Sequence, residues 1–463
     1  MDDSQKRRLG HCARAPEGCV SKQPVAPGVI YWFRQDLRLH DQPALQQAVK
    51  YALDHRVWLL PVYIADADQD SQTAWDCVRV GPRRQAWTAM ALQGLSEQLA
   101  ELGSQLLTFK GQPVEILAGL SQSLQQPLLV CEEICAPYEA LQIQKLQERG
   151  VTVQSIWQST LMAPESLPFA PEEVPDTFTR FRQVLEKNQI KPTPPLPAVH
   201  QMPPLPPESV LAPCSSHLQT WPGVSATLSP VQDARTSFPM ASPAFHGAER
   251  AALARVADYC RRGLPSTYKT TRNELMGVDY STKWSPWLAT GALSPRQAWS
   301  AIAAFEQTQG ANESTYWIGF ELLWRDHFRW LHRKHGVRLY RSQGLTDLPA
   351  PAHHPRAFQQ WCQGETGQPF IDAAMRELAL TGYLSNRMRQ NVASYLIHDL
   401  QCDWRAGAAW FESQLIDFDV YSNQGNWLYL AGRGTDPRGS RRFNTAKQAG
   451  DYDPTGIYAD LWR

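Results

Sequence analysis

The sequence offers little of what usually marks a metal site, a secreted fold or a dinucleotide enzyme. Its nine cysteines contain no CxxC pair, and the nearest two, Cys131 and Cys135, stand at the wrong interval for a zinc knuckle. An odd, scattered set reads as reduced thiols in the cytosol, with no metal. Charge of one sign is missing too, since 45 Lys and Arg balance 45 Asp and Glu. A polyanion would have to be held by a local basic patch, not by the field of the whole molecule. No GxGxxG follows the first strand-like run, so the main cofactor is expected outside that region. No segment approaches the length of a membrane span, and Lys6, Arg7 and Arg8 are not followed by the apolar run of a signal peptide. We expect a soluble, cytoplasmic protein with an N-terminal extension over residues 1–28, organellar targeting being left open.

What is present falls into two regimes, as expected for 463 residues, more than one core usually organises. From Val29 short apolar runs alternate with amphipathic stretches: VIYWF, a helix opened by Asp41 with Pro43 in its first turn, VWLLPVYIAD, a helical run from about Arg83 to Leu102, then QLLTF, PLLVCEEI and VTVQSIW. This alternation predicts a doubly wound parallel sheet, an α/β domain over 29–160. A connector over 161–243 follows, Pro- and Ser-rich from about Lys191, a composition that favours extended chain and cannot build a core. From 244 to 463 helical periodicity dominates and predicts an all-α domain. Eleven of the 17 tryptophans fall there, as core filler or as functional groups.

Four stretches of the second domain carry chemistry. YSTKWSPWLATGALSPR places Ser281, Thr282 and Ser285 at a helix start, either as a phosphate seat or as ordinary caps. NRMRQNVASYL puts Asn386 and Arg389 on one helical face, and LIDFDV offers Asp417 and Asp419 as partners for the arginine. Such a pair would hold a planar, electron-accepting ring, or would simply bridge two helices. FELLWRDHFRW aligns Glu321, Trp324, Arg325 and Phe328 in one stripe. A Glu in that stripe is expected to have a raised pKa if it lines a cavity. Arginines from Arg325 to Arg341 and from Arg433 to Arg442 form basic clusters that suit a nucleic-acid backbone, a solvated helix face or a salt-bridged loop.

Taken together, VIYWFRQDLRLHDQPAL, YSTKWSPWLATGALSPR, ELLWRDHF, TGYLSNRMRQNVASYL and QLIDFDVYSNQGNW resemble the cryptochrome/photolyase family, in the family's order from about Val29 onward. YKTTRNELMG and GRGTDPRGSRRFNTAKQAGDYDPTGIYADLW resemble its DASH cryptochromes. The resemblance implies an antenna domain, a helical FAD-binding domain and, in many members, a 5,10-methenyltetrahydrofolate antenna. It implies splitting of cyclobutane pyrimidine dimers, preferentially in single-stranded DNA, by a monomer; the alternative is a blue-light photoreceptor with little or no repair.

By position, Tyr268, Ser281, Thr282, Lys283, Trp284 and Ser285 would seat the FAD phosphates and ribityl chain. Arg389 and Asp417 would pair against the isoalloxazine, Asp419 would lie near its polar edge and Asn423 would face N5. Glu321 and Asn386 would contact FAD and the dimer's carbonyls, with Trp324 stacked on the dimer. Arg325, Tyr429, Arg433 and Arg441 would join Trp324 in binding DNA. Trp427 and Trp404 would be the inner members of an electron-hopping chain. The outer tryptophan is replaced by the Ala-Pro run around Pro351, so Trp361 or Tyr340 would substitute or the chain is shorter. Tyr429 stands where double-strand photolyases have Trp, which fits DASH, and Glu133 would contact the pterin.

Overall fold

The computed structural model describes residues 26–209, 211 and 233–463. Most of the expected N-terminal extension, and part of the Pro- and Ser-rich connector, lie outside the described residues.

Five parallel strands form the first domain: β1 (Gly28–Phe33), β2 (Trp58–Asp66), β3 (Leu107–Gly111), β4 (Leu128–Glu132) and β5 (Val153–Ile156). Their order is β3-β2-β1-β4-β5, with Ile30 of β1 opposite Leu60 of β2 and Leu129 of β4. Helices α1 (Pro43–His55), α2 (Pro82–Glu101), α3 (Pro113–Ser123) and α4 (Pro137–Glu148) connect them. All four helices carry Pro in the first turn, where its fixed φ suits the helix and its missing N–H is not needed. Alternate residues of β1 explain burial on both faces. Val29, Tyr31 and Phe33 pack with Leu45 of α1 and Leu92 of α2, whereas Ile30 and Trp32 pack with Leu117 and Leu120 of α3. The order in which strands are added reverses at β1 and β4, which opens a crevice at the carboxyl ends of the strands.

Asp41 does not open α1. The cap residue is Gln42, while Asp41 adopts a left-handed φ of 49° and is wholly buried. Its carboxylate accepts from Ser294 Oγ, Arg296 Nε at 2.8 Å and Leu196 N at 2.9 Å, so it latches the first domain to the second. Gly291 tightens this junction. At its φ of +74° an added Cβ would come within 1.9 Å of Gln35 O, so a side chain there would drive the domains apart.

The connector is not a free linker. α5 (Phe178–Lys187) buries Phe178, Phe181 and Leu185 in the core of the helical domain. Farther on, Val199 and Met202 pack on the first domain. Apolar residues spaced along an extended chain can thus cover existing cores without building their own.

The second domain is helical. Its long Glu313–His335 helix starts at Asn312, whose side chain accepts from Ser314 N and Thr315 N. The Asn386–His398, Trp404–Gln414 and Val420–Ala431 helices enclose a cavity with it. Among the described residues no helix is long and apolar enough to cross a membrane.

Candidate functional site

A cavity of about 320 Å³ lies within the helical domain. Tyr268, Ser281, Thr282, Lys283, Trp284 and Ser285 line one side; Glu321, Asn386, Arg389, Asp417, Asp419, Asn423 and Trp427 line the rest. The YSTKWS loop reaches it because Lys283 takes a left-handed φ of 61°, turning the chain sharply before the Ser285–Thr290 helix. No side chain caps that helix, so the capping alternative for its hydroxyls fails and they face the cavity.

Arg389 and Asp417 do pair, Nη2 to Oδ2 at 2.8 Å, and Arg389 Nε also donates to Leu384 O at 2.8 Å. Asp419 is committed elsewhere: it caps the Val420–Ala431 helix through Ser422 N at 2.7 Å and pairs with buried Arg329. Burial opposes its ionisation, but the guanidiniums of Arg329 and Arg325 outweigh this and hold its pKa below the ordinary range. Asn423 Nδ2 donates to Ala408 O at 3.1 Å, which leaves Oδ1 as the group presented to the cavity. Glu321 accepts from Arg272 Nη1 at 2.6 Å and Trp317 Nε1 at 3.1 Å. Burial raises its pKa although Arg272 opposes the shift, as the sequence suggested for a cavity glutamate.

Among the described residues, four buried polar atoms on the cavity wall make no hydrogen bond: the Tyr280 hydroxyl, the N–H donors Lys283 Nζ and Trp284 Nε1, and the carboxylate oxygen Asp417 Oδ1. Such orphans are costly unless a ligand satisfies them. Two donors and a carboxylate oxygen fit a molecule that carries both anionic oxygens and N–H or O–H groups, as FAD does.

Comparisons with known proteins identify the setting. Residues 317–462 match the model for the FAD binding domain of DNA photolyase, and residues 29–200 match the DNA photolyase model. A Cryptochrome DASH of Synechocystis sp. is 40% identical over 446 residues, covering 95% of this chain and 88% of that protein. The chain belongs to the DASH cryptochromes of the cryptochrome/photolyase family. The crystal structure of a Synechocystis cryptochrome superposes with a TM-score of 0.85 at 39% identity, covering 95% of this chain and 89% of that one. An archaeal photolyase from Sulfolobus tokodaii, described with two FAD molecules as implying a novel light-harvesting cofactor, gives 0.68 at 26% identity, covering 94% of this chain and 90% of the other.

In this DASH chain the cavity gathers every residue expected to seat FAD, but not every residue expected at the DNA or in the electron chain. Trp324 lies outside it, stacked on Phe178 of α5 with ring centroids 3.9 Å apart. Trp404 is buried off the cavity, its Nε1 donating to Ser342 O at 3.1 Å. Tyr429 lines the cavity, with the Arg441 guanidinium 5.2 Å from its ring centroid. Arg325 and Arg433, expected on the DNA surface, turn inward. Arg325 donates to Ser159 O and Leu288 O, and Arg433 donates to Pro349 O, so both guanidiniums serve backbone carbonyls of the protein. Much of the remaining basic cluster is likewise spent on ion pairs: Arg333 with Glu133, Lys334 and His335 with Asp176, Arg438 and Arg441 with Asp436.

Glu133 is therefore already occupied, by Arg333 at 3.5 Å and by the Cys135 thiol at 3.4 Å, and it lines neither cavity of the domain junction. The larger of those cavities, about 440 Å³, opens at the carboxyl ends of the strands, with Trp32, Tyr138, Arg34 and Arg84 on its walls. Burial pulls the Arg84 pKa down to about 10. Sequence reasoning missed this site because its residues come from separate strand ends without a shared motif. It also missed Arg272 as the partner of Glu321, although YKTTRNELMG contains it.

Proposed function

We propose that this protein is a blue-light-driven FAD enzyme that binds DNA as a monomer and splits cyclobutane pyrimidine dimers, preferentially in single strands. The observation that supports this reading best is the meeting in one cavity of Glu321, Asn386, Asn423 and Trp427 with the unpartnered Lys283 Nζ and Asp417 Oδ1. Bound FAD would supply light-driven transfer of one electron to the dimer and its recovery.

The chain's own residues do the rest. Lys283, Ser281 and Thr282 would hold phosphate oxygens, and the Arg389–Asp417 pair would fix the ring and balance its charge. Asn423 would present Oδ1 to a ring N–H without adding a negative charge. Glu321, kept toward its neutral form by burial and oriented by Arg272 and Trp317, would donate a proton-bearing oxygen to a dimer carbonyl. Asn386, exposed at the first turn of its helix, would bind a second carbonyl. Tyr429, which lines the cavity, would be left to meet bases, while Arg325, Arg433 and the Asp436-paired Arg441 are engaged within the protein. Base-flipping enzymes, photolyases among them, pay a few kcal/mol to extrude a base from a duplex, a cost that a single strand largely avoids.

A reduced folate, 5,10-methenyltetrahydrofolate, is the second chromophore of this proposal. What supports a seat is the strand-end cavity, whose aromatic planes and arginines suit a flat pterin with a carboxylate tail; Glu133 does not fit that role.

The test is blue-light repair by chemically reduced protein on dimer-containing single-stranded and duplex oligonucleotides, scored by restored pyrimidines. Light-dependent repair with the single strand ahead is expected. Absence of repair on both, with FAD bound, would remove the enzyme reading and leave the photoreceptor.

A further inference from the structure

A path of touching rings leads from the FAD cavity to the surface, and it does not pass through Trp404. Trp427 lines the cavity and meets Trp361 edge-on at 6.5 Å between centroids. Trp361 stacks with Phe358 at 6.0 Å, Phe358 meets His353 at 5.5 Å, and His353 meets Trp75 at 4.8 Å. Trp427 and Trp361 are buried, whereas Trp75 is half-exposed.

Trp75 belongs to the first domain, yet it packs against the hydrophobic core of the helical domain that contains Trp427, Trp361 and Trp404. Its loop is closed by the Gln72–Val78 bridge and held by the Thr73 hydroxyl, which accepts from Trp75 N at 3.3 Å. The loop's end is locked on the Trp404–Gln414 helix by Arg79–Glu412 at 2.9 Å and by Gly81 N donating to Ser413 O at 2.8 Å. The indole is therefore fixed in place. His353, from the Ala-Pro run that lacks an outer tryptophan, supplies the ring between Trp75 and Phe358. Tyr340 is unsuited to this end of the path, since it lines the strand-end cavity and is bonded to His332 at 3.2 Å. Trp361 is too deeply buried to meet solvent.

We propose that Trp75 is the surface end of the electron path that refills Trp427, reached through Trp361. This rests on the FAD reading above. With FAD bound, an electron given up by Trp427 to the photoexcited, oxidised ring would be returned to Trp427 by Trp361, and to Trp361 by Trp75. His353 and Phe358 act as the intervening medium, being harder to oxidise than indole. The oxidised Trp75 releases its indole N–H proton to water. An external thiol then gives Trp75 one electron and one proton and becomes a thiyl radical, and two such radicals combine to a disulfide, so two thiols are oxidised for every two electrons delivered. Burial lowers the His353 pKa, which keeps its ring neutral beside the passing positive charge. The Arg405 guanidinium, 5.7 Å from the Trp75 centroid, is balanced by Asp403 at 2.6 Å.

The test illuminates the FAD-loaded protein with a nitroso spin trap and maps the adducts by peptide mass spectrometry. Trap adducts on Trp75 are expected, and they should fall by about tenfold or more in Trp361→Phe at equal FAD content. Thiol-dependent photoreduction should slow by a similar factor in Trp75→Phe, a change at a half-exposed site that the fold tolerates. Repair by chemically reduced Trp75→Phe should stay unchanged, because that reaction needs no refilling of Trp427. Photoreduction in Trp75→Phe equal to the parent, or Trp75 adducts that survive Trp361→Phe but vanish in Trp404→Phe, would overturn the proposal. In either case, repair by the chemically reduced protein would leave the FAD reading standing.

Discussion

Arg329 of the Glu313–His335 helix and Asp419 at the start of the Val420–Ala431 helix form an ion pair with both side chains buried, beside the wall of the FAD cavity. The pair joins the helix that carries Glu321 to the one that carries Asn423, so it sets the spacing of two groups on opposite sides of the proposed ring. Asp419→Asn can keep the cap to Ser422 N but leaves Arg329 unpaired. We expect a loss of about 3–5 kcal/mol in urea unfolding of the apoprotein, with recovery of much of it when Arg329→Met is added. The linkage follows from the lowered pKa of Asp419. Its stabilisation is fully present above its unfolded pKa of roughly 4 and is lost as pH falls through its depressed folded value. The parent should therefore lose stability below about pH 4 more steeply than Asp419→Asn. Parallel acid titrations of the two proteins check this.

That pair also shows what the sequence could and could not reveal. LIDFDV was readable as a source of carboxylates, and the match of Asp417 to Arg389 holds. The role of Asp419 was not readable, because it depends on an arginine ninety positions away that sits in a basic cluster of the sequence. The same reason accounts for Arg325 and Arg433. Composition places arginines near aromatics, but only the fold decides whether a guanidinium meets a phosphate or a buried carbonyl. Strand-helix alternation was legible throughout the first domain, since β1 is an apolar run buried on both faces and every crossover helix begins with Pro. Asp41 was misread because a left-handed residue buried between domains looks, in one dimension, like an N-cap.

Glu321 gives a second test. Its neutral form is favoured by burial, and Arg272 and Trp317 bind the same oxygen, Oε1. Glu321→Gln keeps a donor in place but removes the acidic group that Arg272 and Trp317 orient. If the carboxyl stabilises charge on a dimer carbonyl, its contribution is about 2 kcal/mol, or roughly thirtyfold in the rate of ring splitting. Time-resolved absorption on dimer-loaded protein measures that rate. An equal fall in FAD content would instead make Glu321 a cofactor residue alone.

For the second chromophore, the two candidate positions predict opposite outcomes. Glu133→Ala breaks a partly exposed pair with Arg333 and should change stability by less than about 1 kcal/mol, leaving any near-ultraviolet band of the purified protein intact. Arg84→Ala removes a cation from the strand-end cavity and from the face of Phe418, 4.3 Å away, and should abolish that band. Absorption spectra of the two variants, normalised to FAD, decide between the sites.

Lys283 separates binding from folding most directly. Its amine is buried without a hydrogen bond among the described residues, 3.4 Å from the centroid of Tyr280, and burial pulls its pKa well below that of an ordinary lysine. An amine in that state is a cost to the apoprotein, and Lys283→Met, similar in length and apolar, removes it. Thermal unfolding of apo Lys283→Met should shift upward by about 1 °C, corresponding to roughly 1 kcal/mol for a chain of this length. FAD affinity should move the other way. A charge-assisted hydrogen bond to phosphate contributes about 1.5–3 kcal/mol, so fluorescence titration should show binding weakened by roughly tenfold or more. FAD binding to the parent also takes up a proton at this amine, and its affinity should fall as pH rises above the lowered apo pKa, a dependence absent from the Met variant. A lysine that served only to pack the loop would move stability and affinity in the same direction, because loosening the YSTKWS turn would harm both.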